Sequence, residues 1–575
     1  MASTGGAPES PSTQGARLEH EEPAERADRG FGLGPWRVAI ATAGTFVALA
    51  AILAIAAALR LIALAWGSPY VYHPDEWVLA SPALDMLRNH DWNPRLFMYP
   101  SGMIYVERFL ISTYRHFDPS ASLMAHSTGG AAGLGWRGPA DALPAQFAYF
   151  YLGRLFVAIL GTLTAIPVFF SARSASNTIG GLAAAVAIAV APLAVLDSHY
   201  LTTDVPVAAA CALVLWFSLK GLRGHRRWLI AAGFAAGVAA SIKYNGGLVV
   251  IVPVVALAAS VPIREWLRPA TLRTGVLIAL ASIVGFVLLT PAVLFDTGSV
   301  WTGGIIFQLQ QYHGHPGAEG TDNAIYWLGR LWSVDGLGIG LAVLSTLGLA
   351  IAVIAHRKTD VVVLSFVVAY YVLVSLPPVR FDRNLLPLLP YLAVLVGRAV
   401  AWLAGLVPRA FRRRPPRFQK AATLAAVVAI VVVVGAPSLA RSASSDALLN
   451  SPDTRTIALT WIEQNVPTGA RIAREEFTPQ LPPDRYKIGF VWLLADKSLD
   501  WYRSKKFDYL IVSSFQYGRY LGHEPQSSFY DSVMALPVVL DLSPQAGEQG
   551  PRIVMVRLSS PAAPPGGSPT NPAGP

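Results

Sequence analysis

Two adjacent acids, Asp75 and Glu76, follow the first long apolar run of the chain, in the stretch SPYVYHPDEWVLA. A carboxylate that faces lipid is costly, so acids at the edge of a membrane segment need water or a paired cation. A carboxylate in such a place can take a proton from an attacking hydroxyl group. The pair therefore indicates a polar, reactive pocket at a membrane surface.

Further ionisable residues stand at the ends of later apolar runs. They are Asp204 in SHYLTTDVPVAAA, Lys243 in ASIKYNGG, Arg380 and Arg383 in PPVRFDRNLLPLLP, and His313 and His315 in YHGHPG. Arginine binds a phosphate through two parallel hydrogen bonds, and lysine binds it as a point charge. Acids beside these bases suit a reaction in which a phosphate leaves while a hydroxyl group attacks.

The composition indicates which kind of protein must position these residues. Of the 575 residues, 53% are hydrophobic and 14% are charged, whereas soluble proteins carry about 25% charged residues. Several apolar runs reach the roughly 20 residues that a helix needs to cross the hydrocarbon core. The chain is therefore a multi-spanning α-helical membrane protein, and its net charge of +10 does not indicate nucleic-acid binding. A single cysteine, Cys211, excludes a disulfide framework.

The apolar runs predict about eleven transmembrane helices. They lie at about 36–66, 149–172, 179–196, 204–220, 228–242, 247–262, 274–294, 334–356, 361–377, 385–406 and 421–439. The predicted organisation is a disordered cytoplasmic tail (1–35), a transmembrane domain (36–440) with a long first outer loop (67–148), an outer α/β domain (441–560) and a second disordered tail (561–575).

The basic residues of the loops set the predicted orientation. Clusters at 220–227, 264–273, 357–358 and 408–420 all fall on one side of the membrane in this count of helices. The positive-inside rule assigns that side to the cytoplasm. The N-terminus is then cytoplasmic, and all the acid and base candidates lie on the outer face.

The first outer loop and the C-terminal region carry their own patterns. In the loop, WVLASPALDMLRNHDW and GMIYVERFLISTYRHF mix aromatic and charged residues at helical spacing, as interfacial helices do. In the C-terminal region, TRTIALTWIEQNV and KSLDWYRSKKF favour helices, and ARIARE, DYLIVSS, ALPVVLDLS and RIVMVRLS favour strands. Glu475 and Glu476 end the first strand, where ligand-facing residues tend to fall, although acids at strand ends are usually solvated.

Each candidate also has an ordinary structural explanation. Asp204 could cap the helix that follows it, and Lys243 and Arg60 could extend to the membrane surface. The arginines near 380 could anchor a helix at the interface, the histidines are typical of any loop, and the Asp75–Glu76 pair could be solvated. Anchoring would scatter such residues over both faces, whereas here acids and bases are matched on the outer face only. A shared pocket is therefore the preferred interpretation.

The order of the motifs resembles the GT-C glycosyltransferases. HPDEWVLA after the first apolar run is followed by YLTTDVPVAAA, GFAAGVAASIKYNGGLVVIVPVVALAA, YHGHPG, RNLLPLLPYLAVL and the α/β region, over about 50–560. The sequence is most similar to bacterial members of the protein O-mannosyltransferase and aminoarabinose transferase superfamily. The motifs are short, and their order, sidedness and spacing make the resemblance specific. It implies a GT-C fold in a multi-pass protein of the bacterial cytoplasmic membrane.

The resemblance also implies an activity and roles for residues. A sugar moves with inversion from a polyprenyl-phosphate donor to a protein, lipid or glycan acceptor at the outer face. Asp75 matches the acid that serves as base, with Glu76 as its support, and Asp204 matches a second acid near the acceptor or a metal. Lys243 and Arg383 match residues that neutralise the donor phosphate. The remaining candidates are Arg380 for the phosphate, and His73, Tyr244, Asn245, His313 and His315 for the acceptor or its loops.

The chemistry of this reaction agrees with the residues present. A polyprenyl phosphate leaves readily if cations meet its charge, so no nucleotide-binding P-loop or GxGxxG motif is needed, and neither is found. An inverting displacement needs one base rather than the spaced carboxyl pair of glycosidases. Some relatives bind a divalent cation at this site and others work without one. Asp75, Glu76 and His73 could ligate such an ion, but they lack a fixed metal-ligand spacing, so no cofactor is assigned.

Three hypotheses follow for the function. A polyprenyl-phosphate-sugar glycosyltransferase is favoured. A transporter or flippase for a lipid-linked glycan would usually show inverted repeats and broken helices near the midplane, and the sequence shows neither; replacing Asp75 would then impair flipping but not sugar transfer. A non-catalytic scaffold whose outer domain binds a partner leaves the clustered acids and bases unexplained, and an Asp75→Asn variant would then keep full function.

Overall fold

The structure is a computed structural model that describes residues 34–118, 147–314, 317 and 319–558, with side chains from residue 43. Residues from Ala48 onward belong to one compact unit, which contains the site and the sheet. The predicted tail 561–575, nearly all of the tail 1–35, and His315 lie outside the described residues.

Most of the described chain is helical, with the helices up to residue 449 forming the apolar part. These are α1 (Gly34–Leu61), α2 (Pro74–Arg88), α3 (Gly102–Phe117), α4 (Phe147–Leu163), α5 (Ala165–Ala175), α6 (Thr178–Val190), α7 (Pro192–Leu196), α8 (Asp204–Leu222), α9 (Arg227–Ile242), α10 (Ile251–Ser260), α11 (Pro269–Leu289), α12 (Ala292–Phe295), α13 (Thr297–Val300), α14 (Phe307–Gln311), α15 (Asn323–Leu331), α16 (Ile339–Ala355), α17 (Lys358–Ser375), α18 (Leu389–Ala410) and α19 (Pro416–Leu449).

The predicted class, a polytopic helical membrane protein, is confirmed. Among the described residues, seven helical segments are long and apolar enough to cross a membrane, and a bent pair makes an eighth. Three shorter apolar helices, α9, α16 and the segment Tyr244–Ser260, coincide with the remaining predicted spans. Every predicted span thus contains an apolar helix, while the number of true crossings stays a prediction.

One predicted span, 179–196, is broken. Its two halves, Thr178–Val190 and Pro192–His199, meet at an angle of 58°, because Pro192 cannot donate a hydrogen bond and holds Ala191 in an extended conformation. The carbonyls freed at the end of α6 accept hydrogen bonds from Arg60, at 3.1 Å from Ile188 and 2.9 Å from Ala189. Arg60 is therefore buried among the helices. The expectation that it extends to the membrane surface is wrong.

Close contact between α9 and α11 fixes the helix that carries Lys243. A methyl group at Gly237 would collide with the carbonyl of Ser282 on α11, and one at Gly285 would collide with that of Phe234 on α9. Small residues let membrane helices approach this closely. The end of α9, directly before Lys243, is thus held by a tightly packed helix pair.

The C-terminal region is a small α/β unit, as predicted. Its elements are α20 (Thr454–Asn465), β1 (Arg471–Arg474), β2 (Lys487–Phe490), α21 (Leu499–Ser504), β3 (Tyr509–Ser513), α22 (Ser514–Tyr517), α23 (Gln526–Met534), β4 (Val538–Leu542) and β5 (Ile553–Arg557). The five strands form one mixed sheet in the order β2-β1-β3-β5-β4, with β1 parallel to β2 and β3, and β5 antiparallel to β3 and β4. The four predicted strands are confirmed, whereas the short edge strand β2 was not predicted.

Candidate active site

The start of α2 positions both acids of the opening motif. Pro74 is the first helical residue, and the imidazole Nδ1 of His73 caps the helix by accepting a hydrogen bond from the Asp75 amide at 3.3 Å. Acids in the first turn are stabilised by the helix dipole. Because successive residues of a helix are separated by about 100°, Asp75 and Glu76 point in different directions.

Asp75 belongs to a chain of four alternating charges. Its carboxylate lies 2.5 Å from the Arg383 guanidinium, which lies 3.9 Å from Asp204. Asp204 in turn accepts a hydrogen bond from the Lys243 ammonium at 2.6 Å, and Lys243 also donates to Asn384 at 3.1 Å. Residues 75, 204, 243 and 383, which stand far apart in sequence, therefore converge.

The four side chains differ in how open they are. Asp204 and Lys243 are buried, whereas the side chains of Asp75 and Arg383 are 21% and 24% exposed. Burial alone would raise the pKa of Asp75, but Arg383 and the other nearby cations hold it below its usual value. Asp204 is not the cap of its helix: Thr203 occupies the N-cap position, and the Asp204 carboxylate faces Lys243. The buried pair thus supports a more open pair in front of it.

The open pair faces a cavity of about 780 Å³. The charged residues lie on one side of it, and three further regions complete its walls: the loop between α2 and α3, the segment from α13 to Gly314, and the sheet domain. The lining includes Asp75, Arg95, Tyr99, Lys243, Gln308, Gln311, Tyr312, Arg383, Asn384, Trp492 and Asp496. Lining by aromatic rings, amides and a few charges is typical of a small-molecule site.

Glu76 points away from the cavity and is fully buried. Its two carboxylate oxygens each accept a hydrogen bond from Arg154 at 2.7 Å, and one also accepts from the Leu201 amide at 2.9 Å. Arg154 donates further to the carbonyls of Leu64 and Trp66. This network joins α2 to α4 and to the turns that follow α1, so Glu76 helps to fix the backbone at Asp75.

His73 and Arg380 lie outside the cavity lining. His73 stacks on Tyr200 with ring centroids 4.5 Å apart, and burial lowers its pKa. Arg380 donates to the Asn323 side chain at 2.6 Å and lies over the Tyr326 ring. Arg380 therefore orders the start of α15, and the structure does not bring it to Arg383 and Lys243.

The other loop candidates have local partners. Tyr244 donates to the Phe97 carbonyl at 3.0 Å and supports one cavity wall, and Asn245 donates to Tyr370 at 3.1 Å. The His313 Nδ1 contacts the Leu309 carbonyl at 2.5 Å in an exposed position. None of these three lines the cavity.

Several lining residues were missed from the sequence. Tyr99 and Gln308 stand in polar segments that look like ordinary loops in the sequence, and Trp492 and Asp496 come from a domain whose docking position no pattern reveals. Arg154 did carry a signal. An arginine within the apolar run YLGRLFVAIL requires a buried partner, and that partner is Glu76.

The sheet domain holds the segment that leads into α2. The side-chain Nε2 of Gln480 donates to the Val71 carbonyl at 2.6 Å. Arg455, paired with Asp453 at 2.6 Å, donates to the Tyr72 carbonyl at 3.2 Å and lies 4.0 Å above the Tyr72 ring. Contacts from the sheet domain thus fix the two residues directly before the His73 cap.

The acids at the end of β1 are buried and do not line the cavity. Glu475 accepts hydrogen bonds from Tyr530 at 2.6 Å and from the Ser513 amide at 3.0 Å. Burial raises the pKa of Glu475 to about 8 and that of Glu476 to about 7. The idea that they face a ligand at the strand end is therefore wrong for this cavity, and Glu475 instead joins β1 to β3 and α23.

A metal ion has no preformed ligand cluster in the described ranges, where no three His, Cys, Asp or Glu side chains converge. Of the three residues considered from the sequence, Asp75 faces Arg383, Glu76 faces Arg154, and the His73 Nδ1 caps α2. The three point to separate partners and do not share one centre.

Comparisons with known proteins identify the fold. Residues 151–288 match the family model described as dolichyl-phosphate-mannose-protein mannosyltransferase. ArnT from Cupriavidus metallidurans, solved bound to undecaprenyl phosphate, aligns with a TM-score of 0.52 and 16% identity over 92% of this chain and 100% of that chain. AglB, an archaeal oligosaccharyltransferase from Archaeoglobus fulgidus solved with an inhibitory peptide and a dolichol-phosphate, aligns with a TM-score of 0.52 and 12% identity over 88% of this chain and 74% of that chain. No curated protein matches the sequence significantly.

Proposed function

We propose that this chain, a membrane protein with the GT-C fold of membrane glycosyltransferases, transfers a sugar from a polyprenyl-phosphate donor to a hydroxyl acceptor with inversion. The observation that carries the proposal is the open pair Asp75–Arg383, 2.5 Å apart at the wall of one cavity, with Asp204 and Lys243 buried behind it. The two structural neighbours were solved with a polyprenyl phosphate, which supports a donor of this class.

The cations account for departure of the phosphate. As the bond between the anomeric carbon and the phosphate oxygen breaks, negative charge grows on that oxygen. Arg383 meets this charge with its planar fork and Lys243 with its ammonium. Lys243 is already oriented by Asp204 and Asn384, so it needs little reorganisation during the reaction.

Asp75 accounts for activation of the acceptor. Its lowered pKa keeps the carboxylate ionised, so it can accept the proton of the attacking hydroxyl group while the new glycosidic bond forms. In an inverting displacement the attacking and leaving oxygens lie on opposite faces of the anomeric carbon. The sugar must therefore enter between Asp75 and Arg383, and donor binding separates this ion pair.

The cavity offers space and contacts for both substrates. Its volume of about 780 Å³ lies within the usual range of about 300–1,000 Å³ for ligand sites. Trp492 and Asp496 bring an aromatic ring and a carboxylate from the sheet domain, groups that suit a sugar ring or a polar acceptor. The basic loops at the far ends of the helices favour an outer-face site in a cytoplasmic membrane.

The test is direct transfer by the purified full-length protein. Labelled polyprenyl-phosphate sugars are incubated with the protein and a membrane extract, with and without a chelator, and the labelled product is identified. We expect a labelled glycoconjugate that depends on Asp75 and has the inverted anomeric configuration. Movement of the label across a bilayer without formation of a glycosidic bond would contradict the proposal and favour a flippase.

A further inference from the structure

A second cavity, of about 380 Å³, lies at the opposite end of the helices that form the site. It is lined by Phe170, Arg173, Ser174, Trp216, Lys220 and Arg223, at the ends of α5 and α8. Trp216 and Lys220 follow Asp204 on the same helix, α8, and a rise of about 1.5 Å per residue puts them about 18 and 24 Å along the helix from Asp204. The second cavity is therefore separate from the proposed catalytic site.

Its charge is positive and uncompensated. Arg173, Lys220 and Arg223 make no ion pair with a carboxylate in the part of the chain that the structure describes. Arg223 is oriented by one hydrogen bond to the Ser174 carbonyl at 3.1 Å, which leaves further N–H donors of the guanidinium available. Three cations around one small cavity repel each other, so an anion that binds among them is stabilised.

The wall of this cavity is aromatic and continues onto an apolar helix face. The Phe170 and Trp216 rings stack at 5.0 Å with an angle of 12° between their planes. The Lys220 ammonium lies 3.4 Å from the centre of the Trp228 ring and is thereby held near the cavity. Leu213, about one turn from Trp216 toward the middle of α8, is exposed. A ligand with a charged head and an apolar chain matches this combination of surfaces.

We propose that this cavity binds the phosphate headgroup of an anionic phospholipid, which acts as a bound lipid distinct from the substrates. Basic pockets between membrane helices bind such headgroups, and Trp residues favour the interface between lipid and water. The volume is sufficient for a headgroup, while the acyl chains extend along the exposed face of α8. The proposal does not depend on which reaction the other cavity performs.

The test titrates lipid into the purified full-length protein in neutral detergent and measures the unfolding midpoint together with native mass spectra. Phosphatidylglycerol should bind and raise the midpoint, whereas phosphatidylcholine and inorganic phosphate should not. The variant Arg173→Gln/Arg223→Gln should bind phosphatidylglycerol at least about tenfold more weakly, since each cation near the surface contributes about 1 kcal/mol.

A matched control separates the cavity from general positive charge. The variant Arg412→Gln/Arg413→Gln removes two exposed cations from the loop after α18, at the same end of the helices, and should bind lipid as the unmodified protein does. If the double cavity variant does not fold, Arg173→Gln alone replaces it, because Arg173 is exposed; about fivefold weaker binding is then expected. The proposal would be overturned if the cavity variant and the control variant lost the same amount of lipid affinity. It would also be overturned if inorganic phosphate or phosphatidylcholine raised the unfolding midpoint as much as phosphatidylglycerol does.

Discussion

Asp75 and Glu76 are neighbours in sequence, yet their surroundings differ in almost every physical respect. Asp75 is partly open to a large cavity and shares Arg383 with a second acid. Glu76 is fully buried and receives three hydrogen bonds, two of them from Arg154. The Asp75 carboxylate is therefore accessible from the cavity, whereas the Glu76 carboxylate is not.

The difference shows how a helix start can combine two tasks. The same turn supplies one acid to the cavity and one to an ion pair that fixes the helix against α4. A buried pair is costly to break, because its removal leaves a charge without a partner. The rigidity provided by Glu76 then holds Asp75 at a defined distance from Arg383.

The largest effect on turnover is expected for Asp75→Asn. Loss of a general base lowers rates by about 100- to 10,000-fold, while the similar shape of Asn leaves the unfolding midpoint close to that of the unmodified protein. Initial rates of sugar transfer and thermal unfolding are measured on the same preparation. A variant that retains more than about a third of the rate would show that Asp75 is not the base.

Glu76→Gln should give the opposite result. We expect a loss of about 3–5 kcal/mol in the free energy of unfolding, because Arg154 remains charged and buried. Turnover per folded molecule should fall much less than in Asp75→Asn, because the Asp75 carboxylate itself is still present. If Glu76→Gln instead lowered turnover and left the free energy of unfolding unchanged, Glu76 would have a catalytic role and not a structural one. As a control, Glu76→Met/Arg154→Leu removes both charges and should recover much of the lost stability, since an apolar pair can replace a buried ion pair.

Arg383→Lys tests whether the planar fork matters beyond its charge. Loss of a hydrogen bond to a charged group costs about 1.5–3 kcal/mol, so kcat/KM for the donor should fall by about tenfold to a hundredfold. Donor saturation curves at fixed acceptor measure this change. The acceptor KM serves as the internal control, and a rise confined to the acceptor KM would place Arg383 on the acceptor side instead.

The pH profile should follow the charges around Asp75. Burial favours the neutral acid, but Arg383 and other cations lower the pKa of Asp75 below its usual value, so this group should not reduce kcat/KM above about pH 4. Removing the cation in Arg383→Gln lets the effect of burial dominate and should move the acid limb to higher pH. An acid limb at the same pH in both proteins would exclude Asp75 as the titrating group.

The smallest effect concerns a second pair of adjacent acids, Glu475 and Glu476. Burial raises the pKa of Glu475 from 4.5 to about 8, so between these values the folded protein keeps a proton that the unfolded chain releases. Stability should therefore fall as the pH rises through this window and level off above it. Glu475→Gln should flatten this slope in unfolding midpoints measured from about pH 5 to about pH 9, and an unchanged slope would assign it to other groups.

The sequence predicted the fold better than the contacts within it. Long apolar runs locate helices because the hydrocarbon core demands them, and β3 was evident because all five of its residues are buried and mostly β-branched or aromatic. The break at Pro192 was missed because the run stays apolar on both sides of it. Strand β2 was missed because KIGF is short and lies at the sheet edge.

For the site, the sequence indicated which residues belong to one group but not which of them are in contact. Asp75, Asp204, Lys243 and Arg383 could be grouped because each stands at an end of an apolar run, on the side that the basic loops predict to face outward. Arg380, three positions before Arg383, was grouped with it, yet it contacts α15, because an irregular segment allows close neighbours to point apart. The pairing of Glu76 with Arg154 depends on helix rotation and packing, which composition does not specify.

The hydrogen bonds from Gln480 and Arg455 to the carbonyls of Val71 and Tyr72 have a consequence for truncated forms of the protein. A protein truncated before the sheet domain would lack these two contacts to the segment before Asp75. We therefore expect it to insert into a membrane normally and to lack the proposed activity. If the sheet domain were replaced by that of a relative, we expect the hybrid to be active only if it kept residues equivalent to Gln480 and Arg455.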